Sequence, residues 1–199
     1  MWITRIEKEK GKRFRVYGEE GFLFSLYAKE LECYRIDEGK ELEDEVYETL
    51  LNQLLYKRAR ERALYLLDRR PYTDRQLREK LAGQYPVQVI DRVMVFLQGY
   101  GYVDDAEYVR RYLETYAGRR SRAQLIRELS VKGISRDMVC AHLDCMEYDD
   151  AEGLGRQMKR YLRGKDPADR AVRERTFRYL YGKGYSASDI QQAFRNYES

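Results

Sequence analysis

The chain has 199 residues, of which 36% are charged and 43% hydrophobic, so it can bury a core while carrying a heavily charged surface. Its 3 prolines and 14 glycines are too few for a turn-rich β-sandwich or for long disordered tracts. A single histidine excludes catalysis by several histidines and His-rich metal sites, and 3 cysteines imply no disulfide framework.

The first residues, the apolar runs and the cysteines of the sequence indicate the cellular compartment in which we expect the protein. No basic-then-apolar leader opens it, and no apolar run approaches the ~18 residues of a membrane span. The odd number of cysteines fits a reducing compartment. We therefore expect a cytoplasmic protein with no membrane contact.

The net charge of +4 is unevenly distributed along the chain. Residues 1–56 have a balance of −4, whereas residues 57–199 have a balance of +8, and 23 of their 29 cations are arginine. Arginine makes forked contacts to phosphate and carboxylate groups and stacks on aromatic rings. The basic part of the chain indicates either an anionic partner, such as nucleic acid or an acidic protein surface, or a solvated helical surface rich in ion pairs.

The first forty residues predict a small β element. Apolar residues alternate with polar ones on both sides of a turn at residues 18–21, with the period of two that indicates paired strands: Phe14, Val16, Phe22, Phe24 and Leu26. A further strand is expected over residues 33–36, with Cys33 in the core, and a turn at residues 37–39 closes the element. Because so small an element is not stable alone, we expect residues 1–41 to pack on the helices that follow.

From Leu42 onward the spacing of apolar residues becomes helical. They recur mostly at intervals of three and four along one stripe: Val46, Leu50, Leu54, Ala59, Ala63, Leu66 and Leu67. All three prolines fall at segment boundaries, where helices tolerate them. The rest of the chain therefore predicts helices alone.

An internal repeat organises these helices. The tetrapeptide Asp-Asp-Ala-Glu occurs at residues 104–107 and 149–152, each time before a helical stripe. Short middle helices align as well, at the pairs Leu77 and Leu81, Leu125 and Leu129, and Thr176 and Leu180. A period of about fifty residues is typical of stacked helical repeats. We expect three three-helix repeats, over residues 42–103, 104–148 and 149–199.

Residues that could carry chemistry have simpler interpretations. The acidic pairs of the repeat stand at helix starts, where carboxylates cap a helix and interact with its dipole, and Thr73 and Ser121 predict further caps. Cys140, His142 and Cys145 spread around a helix axis, so we expect no metal site. No phosphate-binding glycine loop and no Ser/His/Asp set is present. The sequence therefore predicts neither an enzyme nor a bound cofactor.

The remaining signal is a set of cations near the middle helix of each repeat, close to tyrosines that could stack bases or fill the core. A repeat array would present these cations as a basic stripe suited to a long, periodic, anionic partner. We predict that the basic stripe consists of Arg69, Arg70, Arg75, Arg119, Arg120, Arg122, Lys132, Arg175 and Arg178.

Four stretches of the sequence match known sequence patterns, and they occur in the same order as those patterns do. Residues 70–81 are similar to R-x-x-[ST]-x-x-E-L-x-x-K-L, residues 101–108 to G-[YLF]-[LIV]-[DN]-D, and residues 125–134 to I-x-x-E-L-x-x-K-G-I, while residues 179–186 with Ile190 are similar to a final repeat. Together they resemble the RecX family of regulatory proteins, from about Leu55 to Tyr197. Gln76, Thr176 and Lys183 depart from the usual residues of that family.

The resemblance implies a fold and a function. It implies a mainly α protein in which a tandem array of three three-helix repeats forms an elongated curved rod, here preceded by a small N-terminal β-hairpin element. It also implies a modulator of the RecA recombinase that lies in the groove of the RecA filament on single-stranded DNA. Such a protein inhibits ATP hydrolysis, filament growth and strand exchange, and we expect a monomer whose basic stripe faces the filament. Direct contact with single-stranded DNA, and activation in place of inhibition, stay open.

Two other classes of function remain as alternatives. In one, the three-helix units act as helix-turn-helix modules of a transcription regulator and read duplex DNA. In the other, the chain is a structural adaptor. Sequence-specific binding of duplex DNA favours the first, and indifference to mutation of the arginine clusters favours the second.

Overall fold

The computed structural model describes residues 1–9 and 11–198 of a mainly helical chain that has a small antiparallel sheet at its N-terminus. This confirms the predicted fold class. The chain divides into two units, Met1–Asp104 and Asp105–Ser199, and each unit buries apolar residues of its own. The predicted repeat boundaries at residues 42, 104 and 149 stay a prediction.

The secondary structure of each unit follows in chain order. The first unit contains β1 (Ile3–Lys8), β2 (Arg13–Gly18), β3 (Gly21–Tyr27), α1 (Ala28–Cys33), α2 (Asp44–Thr49), a π-helical segment (Leu50–Leu55), α3 (Tyr56–Arg69), α4 (Asp74–Leu81) and α5 (Val87–Gly99). The second unit contains α6 (Asp105–Tyr116), α7 (Arg122–Val131), α8 (Arg136–Cys145), α9 (Asp150–Leu162), α10 (Arg170–Gly182) and α11 (Ala187–Glu198). In the described part of the chain, no helix is both long enough and apolar enough to cross a bilayer.

The sheet has the order β1-β2-β3, and both pairings are antiparallel. Val16 of the central strand faces Phe24 of β3, and both side chains are fully buried. The turn between β2 and β3 uses Gly21 at φ +112°, a conformation that favours glycine because a Cβ would be strained there. The predicted hairpin is therefore confirmed.

The predicted strand at residues 33–36 is wrong, because a short helix begins earlier. The carboxylate of Glu30 accepts the backbone N–H of Tyr27 at 2.8 Å, which caps α1 and favours a helical turn at this point. The turn that ends α1 buries Ile36 and leaves Cys33 exposed. The expectation that Cys33 lies in the core is therefore wrong as well.

α2, the π-helical segment and α3 form one continuous helix from Asp44 to Arg69. Within the π-helical segment Leu51 and Leu55 are buried, whereas Leu54, which the predicted stripe includes, is only half-buried. A π-helical turn bonds residue i to i+5, so it holds more residues than an α-helical turn and rotates the side chains that follow. The apolar spacing predicted the helix, but it did not predict this change of face.

The second unit buries two separate apolar clusters. The segment from α6 to α8, with its loops, contributes Val109, Leu113, Leu125, Leu129, Ile134, Val139 and Leu143. The segment from α9 to α11, with its loops, contributes Leu154, Met158, Leu162, Val172, Leu180, Tyr185, Ile190 and Phe194. Each three-helix group therefore has a core of its own, which is the arrangement that stacked repeats need.

The predicted helix caps at Thr73, Ser121 and Asp149 are confirmed. Thr73 and Ser121 accept the backbone N–H three residues later, at 3.2 and 3.1 Å, and Asp149 accepts the N–H two residues later, at 2.9 Å. A side-chain cap of this kind stabilises a helix by about 1 kcal/mol. These caps fix where α4, α7 and α9 begin, and hence where the loops before them lie.

Candidate functional site

The loop between α6 and α7 carries two of the predicted cations, and Tyr148 fixes its backbone. The Tyr148 hydroxyl accepts the N–H of Gly118 at 3.2 Å and donates to the carbonyl of Arg120 at 2.5 Å. Burial raises the pKa of Tyr148, so the hydroxyl keeps the proton that it donates. One side chain therefore ties together both ends of this short loop.

Helix α9 holds the same loop from another direction. Arg156 donates from Nη2 to the carbonyl of Gly118 at 2.5 Å, and Gln157 donates to the carbonyl of Arg119 at 3.1 Å. Gly118 has φ +73°, and a Cβ at this position would lie 2.5 Å from Nη2 of Arg156. The close approach of α9 to the loop thus depends on a glycine.

Ser121 connects the start of α7 to the end of α10. Its Oγ accepts the N–H of Gln124 at 3.1 Å and donates to the carbonyl of Lys183 at 2.7 Å. Gly184 follows at φ +91°, and a Cβ there would lie 2.8 Å from Oγ of Ser121. Residues that are 62 positions apart in sequence are therefore held in contact.

These contacts surround an open cleft of about 770 Å³ within the second unit. Its cationic residues are Arg119, Arg120, Arg156, Arg160 and Lys183, and we call this site the basic cleft. The other lining residues are a tyrosine, two glutamines and two glycines, so no acidic side chain lines it. A concave site of this volume is large enough for a small ligand or for a segment of a larger one.

Only part of the charge in the basic cleft is neutralised by neighbouring carboxylates. Arg120 forms an ion pair with Glu128, and Arg156 forms one with Glu152. Within the residues that the structure describes, Arg119, Arg160 and Lys183 form no ion pair with a carboxylate, and two of them have other contacts. Arg160 donates to Gln157 at 2.8 Å, and Nζ of Lys183 lies 5.6 Å from the ring centre of Tyr179.

The remaining predicted cations of the second unit lie outside the basic cleft. Arg122 pairs with Asp144 at 2.5 Å, and this hydrogen bond raises the pKa of Arg122. Nζ of Lys132 lies 5.7 Å from the ring centre of Tyr112. Arg175 and Arg178 are exposed on α10, and Nε of Arg175 donates to a backbone carbonyl at 3.0 Å.

Of the three predicted cations of the first unit, Arg69 ends α3, Arg70 follows it and Arg75 lies on α4. Arg69 and Arg70 stack on Tyr65 and Tyr72, with guanidinium carbons 4.5 and 4.0 Å from the ring centres. Arg75 pairs with Glu79 one turn later at 2.8 Å. An exposed pair of this kind adds little stability, so Arg75 can exchange its partner readily.

The structure adds Arg156 and Arg160 to the cations that sequence reasoning proposed. They stand four residues apart on α9, so they share one face of that helix. Such spacing is ordinary on a solvated helix, and nothing in the sequence connects it with residues 119 and 120. Lys183 also lines the cleft, although the predicted basic stripe does not include it.

Tyrosines form two stacked groups beside these cations. Tyr108, Tyr112 and Tyr116 follow one another along α6, with neighbouring ring centres 6.4 and 4.6 Å apart. Tyr161 of α9 stacks on Tyr179 of α10, with ring centres 4.4 Å apart. Most of these rings are half-buried, so they serve the packing between helices and also border the charged surface.

The cysteines and the histidine form no metal-binding arrangement in the described residues, where no three His, Cys, Asp or Glu side chains converge. Nδ1 of His142 lies 2.8 Å from the carbonyl of Met138, one turn earlier on the same helix. Cys140 is half-buried and Cys145 is exposed.

Comparison with known proteins decides the family. Residues 59–97 match the sequence profile of the first three-helix domain of RecX, and residues 148–194 match that of the third. The regulatory protein RecX of Clostridioides difficile (strain 630) is 25% identical over 198 residues, which cover 96% of this chain and 92% of that protein. The regulatory protein RecX of Bacillus velezensis is 28% identical over 205 residues, which cover 99% and 78%. The chain belongs to the RecX family.

Solved structures of RecX proteins have the same fold. A crystal structure of regulatory protein RecX superposes with a TM-score of 0.65 at 21% identity, over 96% of this chain and 98% of that one. RecX from Lactobacillus salivarius superposes with a TM-score of 0.62 at 18% identity, over 71% and 95%. In this RecX protein the segment that matches the third domain supplies Arg156, Arg160 and Lys183, whereas Arg119 and Arg120 precede that segment.

Proposed function

We propose that this RecX protein is a regulator of the RecA recombinase that performs no chemical step of its own. It binds in the groove of the RecA filament on single-stranded DNA and inhibits ATP hydrolysis, filament growth and strand exchange. Membership of the RecX family supports the coarser part of this proposal, regulation of RecA, and the charge of the second unit supports the finer part.

The observation that carries the proposal is the unneutralised charge of the basic cleft. A filament groove presents DNA phosphates and acidic protein side chains, and both attract arginine and lysine. An inhibitor that blocks such a groove needs reach and complementary charge, and it needs no catalytic residue. Association of this kind is fastest at low salt and slows as salt increases, because its long-range part is electrostatic.

The test is the rate of DNA-dependent ATP hydrolysis by RecA from the same organism. We expect the rate to fall in proportion to added RecX protein at ratios well below one per RecA subunit. Replacing Arg119, Arg120 and Arg122 together by glutamate weakens the inhibition. The matched control replaces Lys57, Arg127 and Arg136 by glutamate, which changes the net charge equally at exposed positions outside the stripe.

Both variants must keep the helical circular-dichroism spectrum of the parent protein for the comparison to count. The role of these arginines is contradicted if the triple variant inhibits RecA as strongly as the parent protein does. It is also contradicted if the triple variant and its control lose the same amount of inhibition. No inhibition by the folded parent protein at saturation contradicts the proposal as a whole. Sequence-specific binding of duplex DNA would then favour the transcription-regulator alternative.

A further inference from the structure

The geometry of the basic cleft points to a specific ligand chemistry, and we propose that it binds consecutive phosphate groups. The groups belong either to the backbone of a single nucleic-acid strand or to the chain of a free nucleoside triphosphate. This inference deepens the proposed function, on which it rests, because it assigns a ligand to one surface of the second unit. It needs no contact with RecA, so it can be tested separately.

The first argument is the balance of charge. Five cations line the basic cleft and two of them have carboxylate partners, which leaves the positive charge of Arg119, Arg160 and Lys183 without a neighbouring carboxylate in the described residues. Cations brought together in one concavity repel each other, and this repulsion is relieved when an anion binds. Three such charges in one cleft favour a ligand that carries several negative charges.

The second argument is that the arginines are positioned before any ligand binds. Glu152 and the carbonyl of Gly118 hold Arg156, and Gln157 holds Arg160. A side chain that is already ordered loses less conformational entropy on binding, so more of the interaction free energy appears as affinity. Four of the five cations are arginines, whose guanidinium groups bind two phosphate oxygens at once.

The third argument is that glycines allow the two sides of the cleft to lie close together. Gly118 and Gly153 both line it, and a Cβ on Gly153 would lie 3.1 Å from the carbonyl of Gly118. Glycine at both positions lets the loop and α9 approach each other closely, and both elements contribute cations to the lining of the cleft. Tyr116 also lines the cleft, and the guanidinium carbon of Arg120 lies 4.7 Å from its ring centre.

The test measures binding to the full chain in the absence of RecA. The probes are a fluorescent oligothymidylate of about 20 nucleotides, ATP, inorganic triphosphate and a polyglutamate peptide. We expect the parent protein to bind the oligothymidylate or the triphosphates at low salt, and polyglutamate to compete poorly. Replacing Arg119 and Lys183 together by alanine weakens binding about tenfold and lowers the slope of log Kd against log salt by about two, one for each cation removed.

The matched control replaces Arg127 and Arg136 by alanine, which removes the same charge from exposed positions of the second unit outside the cleft. Binding of ATP and triphosphate identifies a free nucleotide as the source of the phosphates, and binding of oligothymidylate alone identifies a nucleic-acid strand. The proposal is overturned if no phosphate probe binds, if polyglutamate competes as well as triphosphate, or if the control loses as much affinity. If the protein inhibits RecA but binds no phosphate probe, the proposed function stands and this inference is refuted. If it binds phosphate but does not inhibit RecA, this inference stands and the proposed function is refuted.

Discussion

Replacing Ser121 by alanine removes two interactions from one buried position. The first is the cap of α7, in which Oγ accepts the N–H of Gln124, and such a cap contributes about 1 kcal/mol. The second is the bond from Oγ to the carbonyl of Lys183, whose loss leaves a partly buried carbonyl without this donor and costs about 1 kcal/mol. We therefore expect the free energy of unfolding to fall by about 2 kcal/mol.

Ser135 provides the matched control, because it caps α8 from an exposed position. Its hydroxyl accepts the N–H of Met138 at 3.3 Å, and among the residues that the structure describes it forms no bond to another helix. Ser135→Ala is expected to cost about 1 kcal/mol or less. Urea unfolding followed by circular dichroism measures both losses, with an unchanged slope showing that the unfolded states are comparable. Equal losses in the two variants would refute the reasoning, because the bond between Ser121 and Lys183 would then contribute nothing.

Three further changes test the packing around the basic cleft. Gly184→Ala forces a Cβ to 2.8 Å from Oγ of Ser121 at φ +91°, so the free energy of unfolding should fall by about 2 kcal/mol. Gly164 has φ +74° but a Cβ there meets no atom within 4 Å, so Gly164→Ala should cost only about 1 kcal/mol. Thermal unfolding measures both losses. Burial raises the pKa of Tyr185 to about 12 and its hydroxyl has no partner in the described residues, so Tyr185→Phe should not destabilise the protein at neutral pH. Because the unfolded tyrosine ionises near pH 10, the stability of the parent protein falls between about pH 10 and 12, and the phenylalanine variant should gain relative stability there in urea titrations. Burial also raises the pKa of Asp150, so its contribution to stability is lost as pH rises above the ordinary aspartate range. Asp150→Asn can still accept the N–H of Arg122, so it should gain stability relative to the parent protein as pH rises above about 4. A difference in stability that does not change with pH contradicts this.

Local sequence rules were sufficient for the helix starts and insufficient for the contacts between helices. The pattern of Ser121 followed by glutamine three residues later predicts the cap of α7, because capping depends on neighbours in sequence. The same hydroxyl also bonds to Lys183, and no local pattern encodes a partner that is 62 residues away. The change of face at Leu54 and Leu55 was missed for a related reason, since a π-helical turn is not marked by its own residue types.

Of the cations that line the basic cleft, the sequence pattern named the two that are adjacent in sequence and not the three that are dispersed. Arg119 and Arg120 are adjacent and precede a helix, so a basic loop was apparent from the sequence. Arg156 and Arg160 have the spacing of an ordinary solvated helix face, and only the fold brings that face beside the loop. Arg122, by contrast, is close to the loop in sequence, but Asp144 holds its side chain outside the basic cleft.

The backbone contacts of the loop between α6 and α7 are consistent with the binding role that we propose for it. Tyr148, Arg156 and Gln157 bond to the backbone of the loop, so its conformation does not depend on the side chains of Arg119 and Arg120. The exposed Arg119 can therefore bind an anion without giving up a carboxylate within the described residues, whereas Arg120 is already paired with Glu128. A loop whose backbone is held in place while Arg119 stays exposed is suited to binding an anionic partner, as the proposed function requires.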